Sequence, residues 1–511
     1  MLKKIAINVT LCLACFAMLY KGAAITAQQF NSVSQHQQAF QQTSQAPSAK
    51  ELAAVAVLVK TIDFLHSEKG KEAWPGYDLS TSPLVISFEN GHLYAFNLKS
   101  DNAAWQTIFA AGKSVKYSVE DPWGASKVQM HPGFMIDGQA AFVFRFDLFQ
   151  RGPSFLPFLI LVHECFHQHQ FGHFAIDEKA LEGYQDHLNG ENLALMQLEE
   201  ILLVDFLKSE GDQKREALKD FTAINKLREG MLQPASLLWE RNQQRMEGLA
   251  DYVSMKTFAI ANILPEFNDH AHLLATMQMT AHDDNVSERA IKRRHYGIGA
   301  TLAYALDYLQ VSDWKQQVER QGKGLDELLQ QAVNLSEAES AERALQAKAT
   351  HHFDHIQTKA VAALQEYQDE IADSMQAYQE IQGVEIILQI PPGVHVSGGG
   401  SNSDMYYLAD GSTLFVNNNS VSTTTDSLWR LTLKDAPFLL QNKAGEKQFK
   451  VEHDLDIVLD QKTYHLSEIF SGGEEKKFTT LSCKGKFGMF QSEQHPGVIC
   501  IENGKLRIKF S

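Results

Sequence analysis

Basic residues are outnumbered in this chain: 46 Lys and Arg stand against 62 Asp and Glu in 511 residues, for a net charge of −16. Binding to a nucleic acid needs Lys and Arg to neutralise phosphates, so this balance argues against such a partner. The acidity otherwise implies only a soluble, self-repelling surface. Cysteine is scarcer, at five residues, too few for a disulfide-stapled scaffold of this length. Beyond the N-terminus no segment reaches 18 consecutive apolar residues, so no later membrane span is expected. No internal repeat is evident. Gly398-Gly399-Gly400 could cradle a phosphate, but no Lys-Ser/Thr follows to open a helix, and the stretch reads as a plain loop.

What is present is ordinary in bulk: 44% hydrophobic and 21% charged residues, long enough for two or three domains with real cores. The first 27 residues read as a signal peptide. Lys3 and Lys4 are the positive region, Ile5 to Tyr20 is apolar but short for a membrane span, and Ala23-Ala24-Ile25-Thr26-Ala27 offers a small-residue cleavage site. An uncleaved anchor is the alternative. Cleavage after Ala27 removes Lys3, Lys4 and Lys21 and leaves a net charge of about −19. A secreted or periplasmic location follows. Cleavage also removes Cys12 and Cys15. Of the remaining cysteines, Cys483 and Cys500 lie in a strand-rich tail where an oxidising compartment would permit a disulfide.

Residues 28–50, rich in Gln and Ser, read as a linker, and 51–66 as an amphipathic helix. Leu84 to Phe88, then Asn90-Gly91, then Leu93 to Phe96 reads as a β-hairpin. Asp137-Gly138 precedes Phe142, Phe144, Phe146 and Leu148, whose alternation predicts a strand. An edge strand there could take up an extended peptide. From 176 to about 382 the pattern is helical, with one or two long helices over 336–380. After Pro391-Pro392-Gly393 come short strands with turn signals, closing in a hairpin around Asn503-Gly504.

The sharpest constraint is His163-Glu164-Cys165-Phe166-His167, the pattern H-E-x-x-H. Histidines four apart share a helix face and can reach one metal ion, and the glutamate between them can act as a base toward water on that metal. Ser154-Phe155-Leu156-Pro157 is a helix start, and Phe158, Leu159, Val162 and Phe166 would bury one face. Cys165 points away from the histidines and reads as a buried thiol. A catalytic zinc usually takes a third protein ligand. Nearby candidates are His169, His173 and Glu182, the last with Asp186 four residues on. Glu247 is better placed: Asp251 lies four residues later, free to accept the second ring N–H of a ligand histidine, and Gly248 and Ala250 suit close helix packing.

These segments resemble the gluzincins, zinc metallopeptidases with H-E-x-x-H on one helix and a glutamate ligand on a later one. Glu247-Gly248-Leu249-Ala250-Asp251-Tyr252 is similar to the E-G-x-A-x-Y stretch of their aminopeptidase-like branch, and Tyr296-Gly297-Ile298-Gly299-Ala300 to its Y-x-x-G-A segment. The resemblance covers roughly 140–310. It implies Zn²⁺ on His163, His167 and Glu247, Glu164 as general base, Asp251 orienting a histidine and Tyr296 donating to the developing oxyanion. The chain departs from that branch in two ways. Its glutamate is far from the second histidine, 80 residues on from His167, and the helical stretch between reads as an inserted pair. It also lacks the G-x-M-E-N motif that holds a substrate's free amine, so the likeness stops at the clan. Arg293, Arg294 and His295 could hold a substrate carboxylate or form a solvated basic patch.

The expected fold is α+β: a zincin-like domain over 51–383, with an N-terminal sheet, the H-E-x-x-H helix and a large helical lobe, then a small β-rich domain over 384–511. The expected function is zinc-dependent cleavage of a peptide or protein substrate. The alternative is a catalytically silent binding protein that keeps the fold.

Overall fold

The computed structural model describes residues 46–150, 152–175, 184–381 and, from 383 to 510, fifteen strands with short flanking stretches. The expected signal segment and most of the expected linker lie outside the described residues. The chain is a mixture of helices and antiparallel-rich sheets, consistent with α+β.

Helix α1 (Ala49–His66) starts where Ser48 can cap it: the Ser48 hydroxyl accepts from the Glu51 N–H, and the Glu51 carboxylate accepts from the Ser48 N–H at 2.6 Å. Glu51 also meets the buried ring of His92 at 2.9 Å, which ties the helix to the first hairpin. That hairpin is β1 (Leu84–Ser87) with β2 (Leu93–Phe96), every residue buried. With β3 (Gln106–Ala110), β4 (Lys113–Ser118), β5 (Met130–Ile136) and β6 (Gln139–Arg145) they form a six-stranded sheet in the order β3-β4-β2-β1-β6-β5. Asp137 and Gly138 join β5 to β6 with φ of 48° and 77°, the left-handed pair a two-residue hairpin needs. The expectation for Phe142 to Leu148 needs correction here. β6 ends at Arg145, and Phe146–Phe149 coil into a 3₁₀ turn. Nor is β6 an open edge, because the hairpin folds β5 over its outer side.

Helix α2 (Leu156–His173) follows, with Pro157 in its first turn. It was expected to bury one face. Instead every residue from Pro157 to His167 is buried, because the helix is enclosed. Phe158 meets Phe146 on one side and Phe258 on another, while Trp74 and Tyr77 pack edge-on against Phe166.

The helical lobe begins with α3 (Gly190–Lys208) and α4 (Gly211–Glu229), a hairpin of helices that fills the long spacing after His167. Inside it the Arg228 guanidinium grips Glu240 at 2.6 and 2.7 Å and Glu199 at 3.0 Å, so this buried charge is fully countered. Helix α5 (Pro234–Gln243) runs through a π turn (Gln244–Gly248) into α6 (Leu249–Ala261). After α7 (Asp269–Ala281) come α8 (Glu288–Tyr308), α9 (Trp314–Gln321), α10 (Leu325–Val333), α11 (Glu337–Thr350) and α12 (Phe353–Glu380). Among the described residues, no helix is long and apolar enough to cross a membrane.

The chain divides into two compact units between Ala363 and Leu364, inside α12. The second unit carries strands from β7 (Val384–Gln389) to β21 (Lys505–Phe510), in one eight-stranded and one seven-stranded sheet. The expected closing hairpin is β20 (Gly497–Glu502) with β21. Cys500 lies on β20 in the larger sheet and Cys483 on β18 (Leu481–Gly485) in the smaller; both thiols are free.

Candidate metal centre

Helix α2 presents His163 and His167 one turn apart, and their Nε2 atoms lie 3.1 Å from each other. The π turn brings Glu247 to the same point: its Oε2 is 3.5 Å from His163 Nε2 and 3.4 Å from His167 Nε2. All three side chains are buried, and among the described residues they are the group of ligand-type side chains that could hold a metal ion. Ligands about 2.0–2.1 Å from a tetrahedral zinc stand about 3.3–3.4 Å apart, close to the spacings found here.

The outer face of each imidazole is engaged. His163 Nδ1 lies 2.7 Å from Asp251 Oδ1, one turn along the helix from Glu247. His167 Nδ1 lies 2.7 Å from the Gln170 side-chain oxygen. Acceptors on both Nδ1 atoms fix the tautomer that leaves each Nε2 lone pair facing inward. The other oxygen of Glu247 is 3.4 Å from Lys292 Nζ, so the carboxylate is shared between the ligand point and an ammonium. Tyr296, one helical turn after Lys292 on α8, stacks on His163 with ring centroids 6.0 Å apart and planes within 6°.

Protonation follows this arrangement. Burial alone would raise the Glu247 carboxyl, but Lys292 and the two histidines hold it well below the usual carboxylate range. Burial opposes charge on His163, yet Asp251, helped by Glu247 and Glu164, carries its pKa well above that of an ordinary histidine. Burial dominates at Glu164 and leaves its pKa raised, although both histidines pull it down.

Glycines let the π turn and α8 meet. A Cβ on Gly248 would come within 2.5 Å of the Gly299 Cα, and one on Gly299 within 2.5 Å of the Gln244 carbonyl oxygen. The π turn and α8 therefore touch backbone to backbone, and both Glu247 and Tyr296 meet His163.

His163, Glu164, His167, Glu247, Asp251 and Tyr296 are thus brought together. Other described candidates are not. His169 turns toward Glu319 at 3.4 Å, and His173 Nδ1 meets the His169 carbonyl at 2.8 Å. Glu182 lies outside the described residues. Arg293 and Arg294 are each paired with an acid, Arg293 half-exposed at the surface and Arg294 in the interior. Arg293 pairs with Asp283, while Arg294 is buried against Glu200 and the Asp283 carbonyl, and His295 is fully buried beside Trp239. Cys165 is a buried thiol whose pKa is raised by that burial and by Glu164. Two contributors escaped the sequence reading, Gln170 and Lys292. Each had a spacing signal: Gln170 follows His167 by three residues, and Lys292 precedes Tyr296 by four, so each shares a helix face with a site residue.

Compared with known proteins, the chain matches no family model, no curated protein sequence and no solved structure.

Proposed function

We propose that this chain is an exported, zinc-dependent hydrolase of the gluzincin kind that cleaves peptide bonds. The observation that carries the reading is the convergence of His163 Nε2, His167 Nε2 and Glu247 Oε2 within 3.1–3.5 Å, with both Nδ1 atoms held from behind. Two imidazoles and one carboxylate are a donor set that suits zinc and leaves a fourth position open. Zinc bound there would supply Lewis acidity toward water and the scissile carbonyl. Glu164 takes the proton of the attacking water and passes it to the leaving amine. Tyr296, stacked on His163, donates a hydrogen bond to the oxyanion that develops on the carbonyl. Asp251 holds His163 in place, and Lys292 keeps the second oxygen of Glu247 occupied. Export rests on the Lys3-Lys4 and apolar N-terminal pattern; an export reporter fused after residue 60 should be active outside the cytoplasm.

The test uses purified full-length protein. It should carry about one zinc per chain, and His163→Ala should lose it. Glu164→Gln should keep zinc, but cleavage in a peptide-library screen should fall about 10²-fold or more, since an amide cannot accept the water's proton. Full zinc occupancy in His163→Ala would sink the site. Zinc in both wild type and Glu164→Gln, with no cleavage by wild type, would leave the binding-protein reading.

A further inference from the structure

The π turn that carries Glu247 is an unusual local conformation inside an otherwise α-helical run. In the α pattern the Leu249 N–H would reach the Arg245 carbonyl, four residues back. Here it reaches the Gln244 carbonyl, five back. One residue is in effect inserted, and an annealed α-helix would turn Glu247 by about 100° relative to the helix on one side of it. Glu247 sits inside this turn, so its direction depends on the turn being kept. Nothing in the residues Gln244-Arg245-Met246-Glu247-Gly248 themselves favours a π turn over a continuous α-helix.

The turn is gripped from two sides. On one, Gly248 and Gly299 allow α8 to press against it, with the Gln244 carbonyl oxygen 2.5 Å from where a Gly299 Cβ would be. On the other stands Gln170, fully buried on α2. Its side-chain amide donates to the Arg245 carbonyl and to the Met246 carbonyl, each at 2.9 Å. The first is the carbonyl whose α-helical donor, Leu249, has been diverted. The side-chain oxygen of the same Gln170 meets His167 Nδ1 at 2.7 Å. One side chain therefore spans a ligand histidine on α2 and the backbone of the turn that bears the ligand glutamate.

We propose that Gln170 is a positioning residue that sets the register of the metal centre: it stabilises the π turn from α2 and so holds Glu247 opposite the histidine it also orients. Glutamine suits the role because its amide accepts at one atom and donates twice at the other. Glutamate could accept from His167 but, as a carboxylate, has no N–H for the two carbonyls. Leucine could do neither. The inference rests on the metal-centre reading above.

The experiment compares wild type, Gln170→Glu and Gln170→Leu as purified full-length chains. Zinc affinity is read by competition with a chelating dye. Ligand geometry is read from the visible absorption of the cobalt-substituted proteins, and folding from thermal unfolding of the metal-free forms. Gln170→Glu should bind zinc about 10- to 100-fold more weakly, the range of changes behind metal ligands, and its cobalt spectrum should lose intensity as Glu247 leaves the ligand set. Gln170→Leu should be weaker still; if it fails to fold, the near-isosteric Gln170→Glu carries the test alone. Wild-type affinity and an unchanged cobalt spectrum in Gln170→Glu would overturn the register role, leaving Gln170 only the His167 contact. Absence of metal binding by wild type would instead overturn the metal-centre reading.

Discussion

At the scale of single residues, the carboxylate of Glu247 divides its two oxygens between tasks. Oε2 faces both histidines, and Oε1 faces Lys292. Asp251 reaches the centre only through His163. Removal of the two acids should therefore differ in kind. Glu247→Ala deletes the proposed ligand and leaves Lys292 beside an apolar methyl, so stoichiometric zinc binding should be lost. Asp251→Asn keeps an acceptor oxygen for His163 Nδ1 and should cost only about 10- to 100-fold in zinc affinity. Titrating both variants against a zinc-sensitive dye distinguishes them; equal losses would mean that Glu247 is no more a ligand than Asp251 is.

At the scale of elements, the centre depends on how closely the π turn lies against α8. Gly299 has ordinary helical backbone and is not needed for its freedom of rotation. It is needed because a methyl there would meet backbone, the Gln244 oxygen at 2.5 Å and Cα at 2.9 Å. Backbone cannot swing aside as the end of a side chain can. Gly299→Ala should accordingly destabilise the fold by about 1–3 kcal/mol, as overpacking does, measured by denaturant unfolding of the metal-free protein. It should also weaken zinc binding, since α8 and the turn must separate. A variant as stable as wild type would mean the two segments can part without strain. The same packing explains why the E-G and Y-x-x-G segments matter together, because each glycine makes room for the backbone of the other segment.

At the scale of the molecule, every member of the centre lies before the division at Ala363, and the later strands form a separate compact unit. A ligand stabilises the unit that binds it; at free zinc of about 1,000 times its dissociation constant the gain is about 4 kcal/mol. Calorimetry of the full chain with and without a chelator should therefore show the unfolding transition of the first unit moving down on chelation and that of the second staying in place. Equal shifts in both would mean that the two units unfold as one.

The sequence by itself determined whatever depends on near neighbours. The part of helix α1 from residue 51, the hairpin at Asn90-Gly91, the helix with His163 and His167 on one face, and the paired Glu247 and Asp251 follow from periodicity and turn chemistry, which act within a few residues. Tertiary structure decided the rest. H-E-x-x-H spacing brings two histidines together but cannot say which acid, 80 residues on, closes the set. Apolar residues on one face of α2 could not show that its other faces would be enclosed too. Arg293 and Arg294 read as free cations until Asp283 and Glu200 are found folded against them. The π turn has no sequence signature, because its stability comes from Gln170 on another helix and from the room left by Gly299 on a third. Those interactions join residues far apart in the chain, and only the packing of the helices brings them within hydrogen-bonding and van der Waals range.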